Sequence, residues 1–252
     1  MLSVIIPISD VLRKDNIEMV VHVLKGQSFR DFETVLVEQV IKDEGYVMHY
    51  SHLDVERYVP IANLGNGLFC KTWCMNVGAR VAKGDRYLFL DGDVVFDEHY
   101  LKAVSEYEGP WFVAWDQNFY YIPQTTKDVL QARKVYVPPG KGSGCSLFGN
   151  PGMAVAYDRK FFWESFGGHH EGYFAWGGED NDSAWRAATL TGGFRSMPYK
   201  IMHLDHSKAK IYTRQDNMCL WLKTQHNPAN VTEILKKSHI GCIAGPVAWK
   251  LQ

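Results

Sequence analysis

The sequence lacks the cysteines of a disulfide framework. Its 252 residues contain only five, an odd and scattered set (Cys70, Cys74, Cys145, Cys219, Cys242). Small secreted domains that depend on disulfides carry a much denser set, so we expect reduced thiols and a cytoplasmic setting. Cys70 and Cys74 have helical spacing but no second Cys or His pair beside them, which favours small buried side chains over a zinc site.

Long apolar runs are also missing. No segment approaches the roughly 20 apolar residues that cross a bilayer, and the opening MLSVIIP has neither the charged start nor the cleavage site of a signal peptide. We therefore expect a cytoplasmic protein, with peripheral attachment to the inner membrane surface as the alternative. Low-complexity tracts and internal repeats are absent, while 46% hydrophobic residues suffice for a globular core.

The chain has no large excess of charge of either sign, since its formal net charge is -1. The distribution is uneven, because residues 199–252 contain eight Lys or Arg against three Asp or Glu. A basic segment of this kind can bind phosphates, an anionic membrane surface or nucleic acid, although most such imbalances are solvated surface. We predict a basic, helical C-terminal extension over residues 209–252.

Three β-branched apolar runs in the first half predict buried strands at residues 2–8, 33–39 and 86–96. Residues 16–27 and 68–84 lie between these runs and repeat apolar side chains at helical spacing. Alternating strands and helices predict βαβ units, and hence an α/β fold with a mostly parallel central sheet flanked by helices.

The second half is less regular. Residues 135–149 are rich in turn formers and predict a loop, whereas residues 153–158 predict a short strand. Helices are predicted at residues 96–104, at 158–168 and from residue 181 onward.

Polar residues follow each predicted strand, where ligands bind in open parallel sheets. They are Ser9 and Asp10, Glu38 and Gln39, and Asp91 to Asp93. Two buried carboxylates in Asp91-Gly92-Asp93 would repel each other unless a cation or hydrogen-bond donors satisfy them. A divalent metal would do so, and Gly92 would allow a ligand to approach the backbone. The alternative is an ordinary Asp-Gly turn, which the helical pattern after it disfavours.

A second metal-binding pattern is HLDH, in which His203 and His206 flank two residues. Imidazole binds Mn²⁺, Zn²⁺ or Fe²⁺ better than Mg²⁺, so a site of mixed Asp and His would favour a transition metal. His169 and His170 are a competing pair that we rank lower.

The stretch WGGEDND, residues 176–182, places three acids on a Gly-Gly hinge beside an indole. One interpretation is a helix start, with Asp180 or Asn181 as N-cap and the other acids near the positive end of the helix dipole. Three acids exceed what capping requires. A carboxylate shielded by aromatic residues could instead act as a general base, and Trp176 could offer an apolar face to a sugar ring.

These segments, SVIIPIS, VLVEQ, FCKTWCMNVGARVAKGDRYLFLDGDVVF, WGGEDND and HLDH, resemble the GT-A nucleotide-sugar glycosyltransferases. The chain is most similar to the β-1,4-galactosyltransferase and chondroitin-polymerase types, of families 7 and 2, over about residues 3–208. The resemblance implies a single Rossmann-like GT-A domain. Residues 1–100 would form its nucleotide-sugar half and residues 101–208 its acceptor and catalytic half.

The resemblance also assigns roles to individual residues. It implies that Asp93, His206 and His203 ligate Mn²⁺, with Mg²⁺ as the alternative ion. The nucleotide sugar would be held by the residues at the strand ends and the start of the second helix (Pro7, Ser9, Asp10, Glu38, Lys71, Asp91, Gly92). Asp180 would be the catalytic base, and the acceptor would contact its neighbours (Glu179, Trp176, Asp182).

The implied function is a metal-dependent inverting glycosyltransferase that moves a sugar from a UDP-sugar to an acceptor hydroxyl. A glycan or a lipid-linked sugar is the expected acceptor, and nucleic acid or protein stays open. The polypeptide N-acetylgalactosaminyltransferases, which are also similar through WGGE, retain configuration and carry Asn at the position of Asp180. A retaining enzyme is therefore the nearest alternative, followed by a non-catalytic sugar-nucleotide or glycan-binding protein and by a metal-dependent hydrolase.

Overall fold

A computed structural model describes residues 1–9, 13–40, 48–62, 68–118, 120–122, 151–204, 206, 214–243 and 246. Asp10 and the predicted loop at residues 135–149 lie outside these ranges. The strands are β1 Leu2–Ile8, β2 Phe32–Val40, β3 Arg57–Ala62, β4 Arg86–Leu90, β5 Val94–Val95, β6 Trp111–Val113, β7 Tyr120–Ile122, β8 Ala154–Asp158 and β9 Met202–Leu204. The helices are α1 Lys14–Lys25, α2 Lys71–Val81, α3 Tyr100–Glu106, the π-helical α4 Phe161–Phe166, α5 Glu179–Thr191, α6 Arg214–His226 and α7 Pro228–Lys236.

Six strands form the central sheet in the order β3-β2-β1-β4-β8-β6. The first four are parallel to one another, and β8 runs antiparallel to both of its neighbours. Every residue of β1 is buried, as expected for a central strand that is covered on both faces. The predicted α/β fold with a mostly parallel sheet and flanking helices is confirmed.

Helix α2 lies very close to the sheet at Gly78. A Cβ atom at this position would stand 2.4 Å from Cγ2 of Ile5 in β1, a distance that no side chain could accept. The glycine therefore lets the helix axis approach the strand closely. This contact fixes the start of α2, and with it Lys71, against the carboxyl end of the parallel strands.

The prediction of one strand over residues 86–96 is wrong. The chain leaves the central sheet after Leu90, and Val95 and Val94 pair instead with β9 in a second sheet of order β5-β9-β7. Between the two strands, the Val94 N–H donates to the Asp91 carbonyl at 3.4 Å, which closes a turn. Two carboxylates without partners are costly to bury in a continuous strand. The chain therefore leaves the central sheet at the turn that contains Asp91 and Asp93.

The C-terminal helices pack against the core rather than apart from it. Helices α6 and α7 both contact α5, and Trp73 Nε1 donates to the Cys242 carbonyl at 2.7 Å. The Gly241 N–H donates to the fully buried carboxylate of Glu171 at 2.7 Å. None of the described helices is long and apolar enough to cross a membrane.

Candidate active site

Asp93 stands at the centre of a group of potential metal ligands. Pairing of Val94 with His203 between β5 and β9 brings the histidine beside the acid. His203 Nε2 lies 3.5 Å from Asp93 Oδ1, and His206 Nε2 lies 3.2 Å from Asp93 Oδ2. One ligand atom from each of the three residues can be chosen so that all lie within 4.8 Å of one another. The predicted trio is therefore brought together.

The donor set suits a divalent transition metal. Asp93 is 2% exposed, and its Oδ1 accepts no hydrogen bond from any described residue, which leaves a buried oxygen in need of a positive partner. Burial acts against ionisation, but the hydrogen bond from His206 and the charges of His203 and Arg13 lower the pKa of Asp93 to about 2. The carboxylate is therefore ionised at neutral pH, as a metal ligand must be.

Lys71 connects the acids of the two halves of the chain. Its Nζ lies 2.8 Å from Asp91 Oδ1, and it donates to Asp180 Oδ1 at 3.2 Å and to Asp180 Oδ2 at 3.4 Å. Burial opposes the ammonium charge, but the carboxylates of Asp180 and Asp91 outweigh this effect and hold the pKa of Lys71 well above its usual value. The lysine is therefore a fixed positive charge between the predicted donor and acceptor residues.

Lys71, Asp91 and Asp180 line a small pocket that opens to solvent. Its walls include Pro7 of β1, Lys71, Asp91 and Asp180, together with residues 151–155 at the start of β8. Gly92 is buried beside the pocket, and a Cβ atom there would meet only ordinary van der Waals contacts. The protein itself therefore does not require glycine at this position.

The WGGEDND segment is the tightly turned entrance to α5. Gly177 and Gly178 have φ angles of +101° and +93°, and Ala175 has φ +58°, a conformation that costs a non-glycine residue about 1 kcal/mol or more. Gly178, rather than Asp180 or Asn181, is the N-cap residue, because the helix already begins at Glu179. The acids thus lie in the first turn, where the helix dipole favours negative charge.

The exposed and buried acids of this turn have different environments. Asp180 is 26% exposed at its side chain and faces Lys71. Glu179 is buried, and this burial, with the charge of Asp180, raises the pKa of Glu179 to about 7. Trp176 is 52% exposed just before the turn.

Asp182, which was assigned to the acceptor, is turned away from the pocket. It is fully buried and accepts from Arg186 Nε at 2.9 Å and from the Tyr173 hydroxyl at 3.1 Å. Arg186 is itself fully buried and donates to the carbonyls of Phe166 and Gly168. The position of Asp182 indicates a structural role, because its carboxylate neutralises a buried guanidinium one helical turn away.

Two of the residues predicted to hold the nucleotide are engaged within the protein. Glu38 is 1% exposed, and its carboxylate accepts from the Tyr58 hydroxyl at 2.6 Å and from the N–H groups of His49 and Tyr50. Ser9 donates to the carbonyl of Gln39 at 2.9 Å. Glu38 therefore organises residues 48–58 next to the end of β2. The predicted contact of Asp10 lies outside the described residues.

His169 and His170 are not part of the metal cluster. His169 is packed edge-on against Phe89 and shares a hydrogen bond of 2.9 Å with Ser183 Oγ. Burial lowers the pKa of His169 well below its usual value and that of His170 to about 4. Both histidines are therefore neutral residues of the core at pH 7, and neither belongs to the group of three potential metal ligands found among the described residues.

Three features of the site carry no sequence signal of their own. Arg13 forms a short ion pair with Asp93 Oδ2 across 80 positions of the chain. Met153, with φ +70°, lines the pocket and accepts from the Asp91 N–H. Asn217 of α6 donates to the carbonyls of Phe174 at 2.9 Å and Trp176 at 3.3 Å. Each of these three contacts joins segments that are far apart in the sequence, so no local sequence pattern predicts it.

The fold is similar to that of solved glycosyltransferases. TarS from S. aureus in complex with UDP-GlcNAc superposes with a TM-score of 0.58 at 15% identity, over 90% of this chain and 66% of that one. Drosophila β1,4-galactosyltransferase 7 in complex with manganese, UDP-Gal and xylobiose gives 0.51 at 10% identity, over 86% and 79%. The mannosyltransferase PcManGT from Pyrobaculum calidifontis with GDP-Man and Mn²⁺ gives 0.53 at 18% identity, over 93% and 67%.

The chain spans only 60% and 66% of the length of two TarS chains that it matches. No protein-family model matches the sequence, and no curated protein matches it either. The similarity to known proteins is therefore one of fold. At the level of the fold, the resemblance predicted from the sequence is confirmed: this chain has the GT-A fold of the nucleotide-sugar glycosyltransferases.

Proposed function

We propose that the chain is a metal-dependent inverting glycosyltransferase that transfers a sugar from a UDP-sugar to an acceptor hydroxyl. The observation that carries the proposal is the arrangement around Lys71. It joins Asp180, the candidate base, to Asp91, which stands two residues before the candidate metal ligand Asp93. The candidate base and the candidate site for a leaving diphosphate are thus adjacent, which supports a single displacement.

Two of the similar structures contain a UDP-sugar, and two contain manganese. This supports UDP-sugar as the donor and Mn²⁺ as the ion held by Asp93, His203 and His206. Mixed carboxylate and imidazole ligands agree with Mn²⁺ better than with Mg²⁺. When bound, the cation would neutralise negative charge on the leaving diphosphate.

The residues of the chain would divide the reaction between them. The carboxylate of Asp180 takes the proton of the acceptor hydroxyl while the oxygen of that hydroxyl forms a bond to the anomeric carbon of the donor sugar. The bond from that carbon to the diphosphate oxygen breaks, and its electron pair leaves with UDP. Lys71 offsets part of the charge on the leaving group, and attack from the opposite face inverts the anomeric configuration.

For the acceptor we propose a glycan or a lipid-linked sugar. The exposed ring of Trp176 offers an apolar face of the kind that packs on sugar rings, and Glu179 lies one residue from the base. One similar enzyme is bound to xylobiose, a sugar acceptor of this class. The basic segment at residues 209–252 would suit a phosphate-bearing acceptor or an anionic membrane surface.

The test is the release of UDP from a panel of UDP-sugars in the presence of Mn²⁺, with a set of glycan acceptors. Asp180→Asn should bind UDP but lose transfer by about 1000-fold or more, since general-base catalysis is typically worth 10²–10⁴. Asp85→Asn is a matched control, because Asp85 is 91% exposed and directly precedes β4, at the amino end of that strand and away from Asp91 at its carboxyl end. Near-normal turnover of Asp180→Asn would refute the role of Asp180 as the base. A product whose NMR spectrum shows the same anomeric configuration as the donor sugar would refute inversion.

A further inference from the structure

Lys71 occupies the atoms that the proposed base must use. Its ammonium lies within 3.4 Å of both carboxylate oxygens of Asp180, so an acceptor hydroxyl would have to compete with it for a lone pair. The same ammonium is 2.8 Å from Asp91. In this state the base is engaged in an ion pair, and an acceptor hydroxyl has to share its oxygens with the ammonium.

The side chain of Lys71 can change partners. It stands at the first position of α2 and lines the pocket together with Asp91 and Asp180. A lysine has a flexible four-carbon stem and a compact charge, so it can exchange one anion for another over a short distance. A diphosphate that entered this pocket would be a multiply charged competitor of the Asp180 carboxylate.

The surrounding charges make this exchange costly. Asp91, Glu179 and Asp180 all contribute negative charge around the one ammonium. The withdrawal of Lys71 from Asp180 therefore opposes donor binding, and the cost must appear in the affinity for the diphosphate.

We propose that Lys71 is a positioning residue that couples the two substrates: it holds Asp180 in an ion pair until the donor diphosphate draws it away, and thereby frees the base. The inference rests on the proposed function and adds an order of events to it. The base becomes available to the acceptor only when the donor is in place. Transfer is thus tied to an occupied donor site by one shared cation.

A double-mutant cycle tests the coupling. UDP binding in the presence of Mn²⁺ is measured by calorimetry for the unmodified chain, Asp180→Asn, Lys71→Met and the double variant. Asp180→Asn should tighten UDP binding by about 5-fold or more, the lower range of measured couplings between sites, because Lys71 no longer has to leave the carboxylate of Asp180 and keeps only that of Asp91 as a competing partner. In the Lys71→Met background the same substitution should change the affinity by less than about 2-fold, since no ammonium is exchanged.

Uridine is the matched ligand control, because it lacks the diphosphate and should show no gain from Asp180→Asn. Lys71→Arg keeps the positive charge. In this background Asp180→Asn should again tighten UDP binding, a result that a purely structural role of Lys71 would not produce. Thermal melting of each variant shows whether it is folded. If Lys71→Met is unfolded, the same cycle is measured with Lys71→Gln instead.

The possible outcomes distinguish failure of the Lys71 exchange from failure of the proposed function. An equal gain from Asp180→Asn with and without Lys71 would mean simple relief of charge repulsion and would overturn the exchange, while the proposed function would stand. If Asp180→Asn does not tighten UDP binding in the chain that keeps Lys71, the exchange is overturned as well. Absence of UDP binding in the unmodified chain would overturn the proposed function and this inference together.

Discussion

Replacing Asp182 by alanine should destabilise the fold strongly without acting on the pocket. The substitution leaves the guanidinium of Arg186, which is 0% exposed, without its only carboxylate partner among the described residues. It also removes the acceptor of the Tyr173 hydroxyl. The carbonyls of Phe166 and Gly168 and the ring of Phe166 would still contact Arg186, but none of them carries a compensating charge.

The magnitude follows from that environment. Removal of one partner of a buried ion pair costs about 3–5 kcal/mol, a large part of the roughly 5–15 kcal/mol that stabilises a typical domain. In a chain of this length, each kcal/mol lowers Tm by about 2–4 °C, so Tm should fall by about 6–20 °C. Asp180→Ala is the matched control, since its side chain is 26% exposed, and it should change stability by less than about 1 kcal/mol.

Urea unfolding followed by circular dichroism measures the difference. The double variant Asp182→Ala, Arg186→Met should recover part of the loss, because the buried charge is then absent. A change below about 1 kcal/mol for Asp182→Ala would refute the argument from buried charge. Normal stability combined with weakened acceptor binding would instead restore the acceptor role that the family resemblance assigned to Asp182.

Two further predictions concern the metal cluster and the buried acid beside the base. His206→Ala and His203→Ala should each weaken Mn²⁺ binding by 10-fold or more in calorimetry, because each removes one of three clustered ligands; unchanged affinity in both would exclude the cluster as the site. Since burial raises the pKa of Glu179 from 4.5 to about 7, the folded state holds a proton that the unfolded chain releases. The stability from that proton is complete below about pH 4.5 and is lost as the pH rises through about 7. Glu179→Gln should flatten this decline in urea unfolding curves, and an undiminished decline in the variant would contradict the assignment.

The parallel part of the fold could be predicted because its strands are continuous apolar runs. The predicted strand at residues 2–8 coincides with β1, and that at 33–39 lies within β2. Strand β3 at Arg57–Ala62 was not predicted, since it contains Pro60 and is mostly half-exposed. An edge strand of this kind has little hydrophobic pattern to detect. The antiparallel insertion of β8 between β4 and β6 depends on pairing between distant segments.

The candidate site shows the same division. The short motifs and their residue types indicated a metal site of Asp91 to Asp93 with His203 and His206, and the family resemblance reduced it to Asp93, His203 and His206. The ion pair of Lys71 with Asp180 spans 109 positions, and only the folded chain reveals it. The burial of Asp182 had a local sign, the i, i+4 spacing to Arg186, which none of the sequence predictions used.

The two hydrogen bonds from Asn217 to the backbone of Phe174 and Trp176 make the position of the loop at residues 174–178 depend on two distant segments. The loop supplies the aromatic ring, whereas α6 holds the backbone that carries it. Under the function proposed above, substitutions in α6 would change the acceptor preference with every residue of WGGEDND unchanged. A chimaera that exchanged α6 between two such proteins would be a way to redirect an acceptor while the chemistry is left intact.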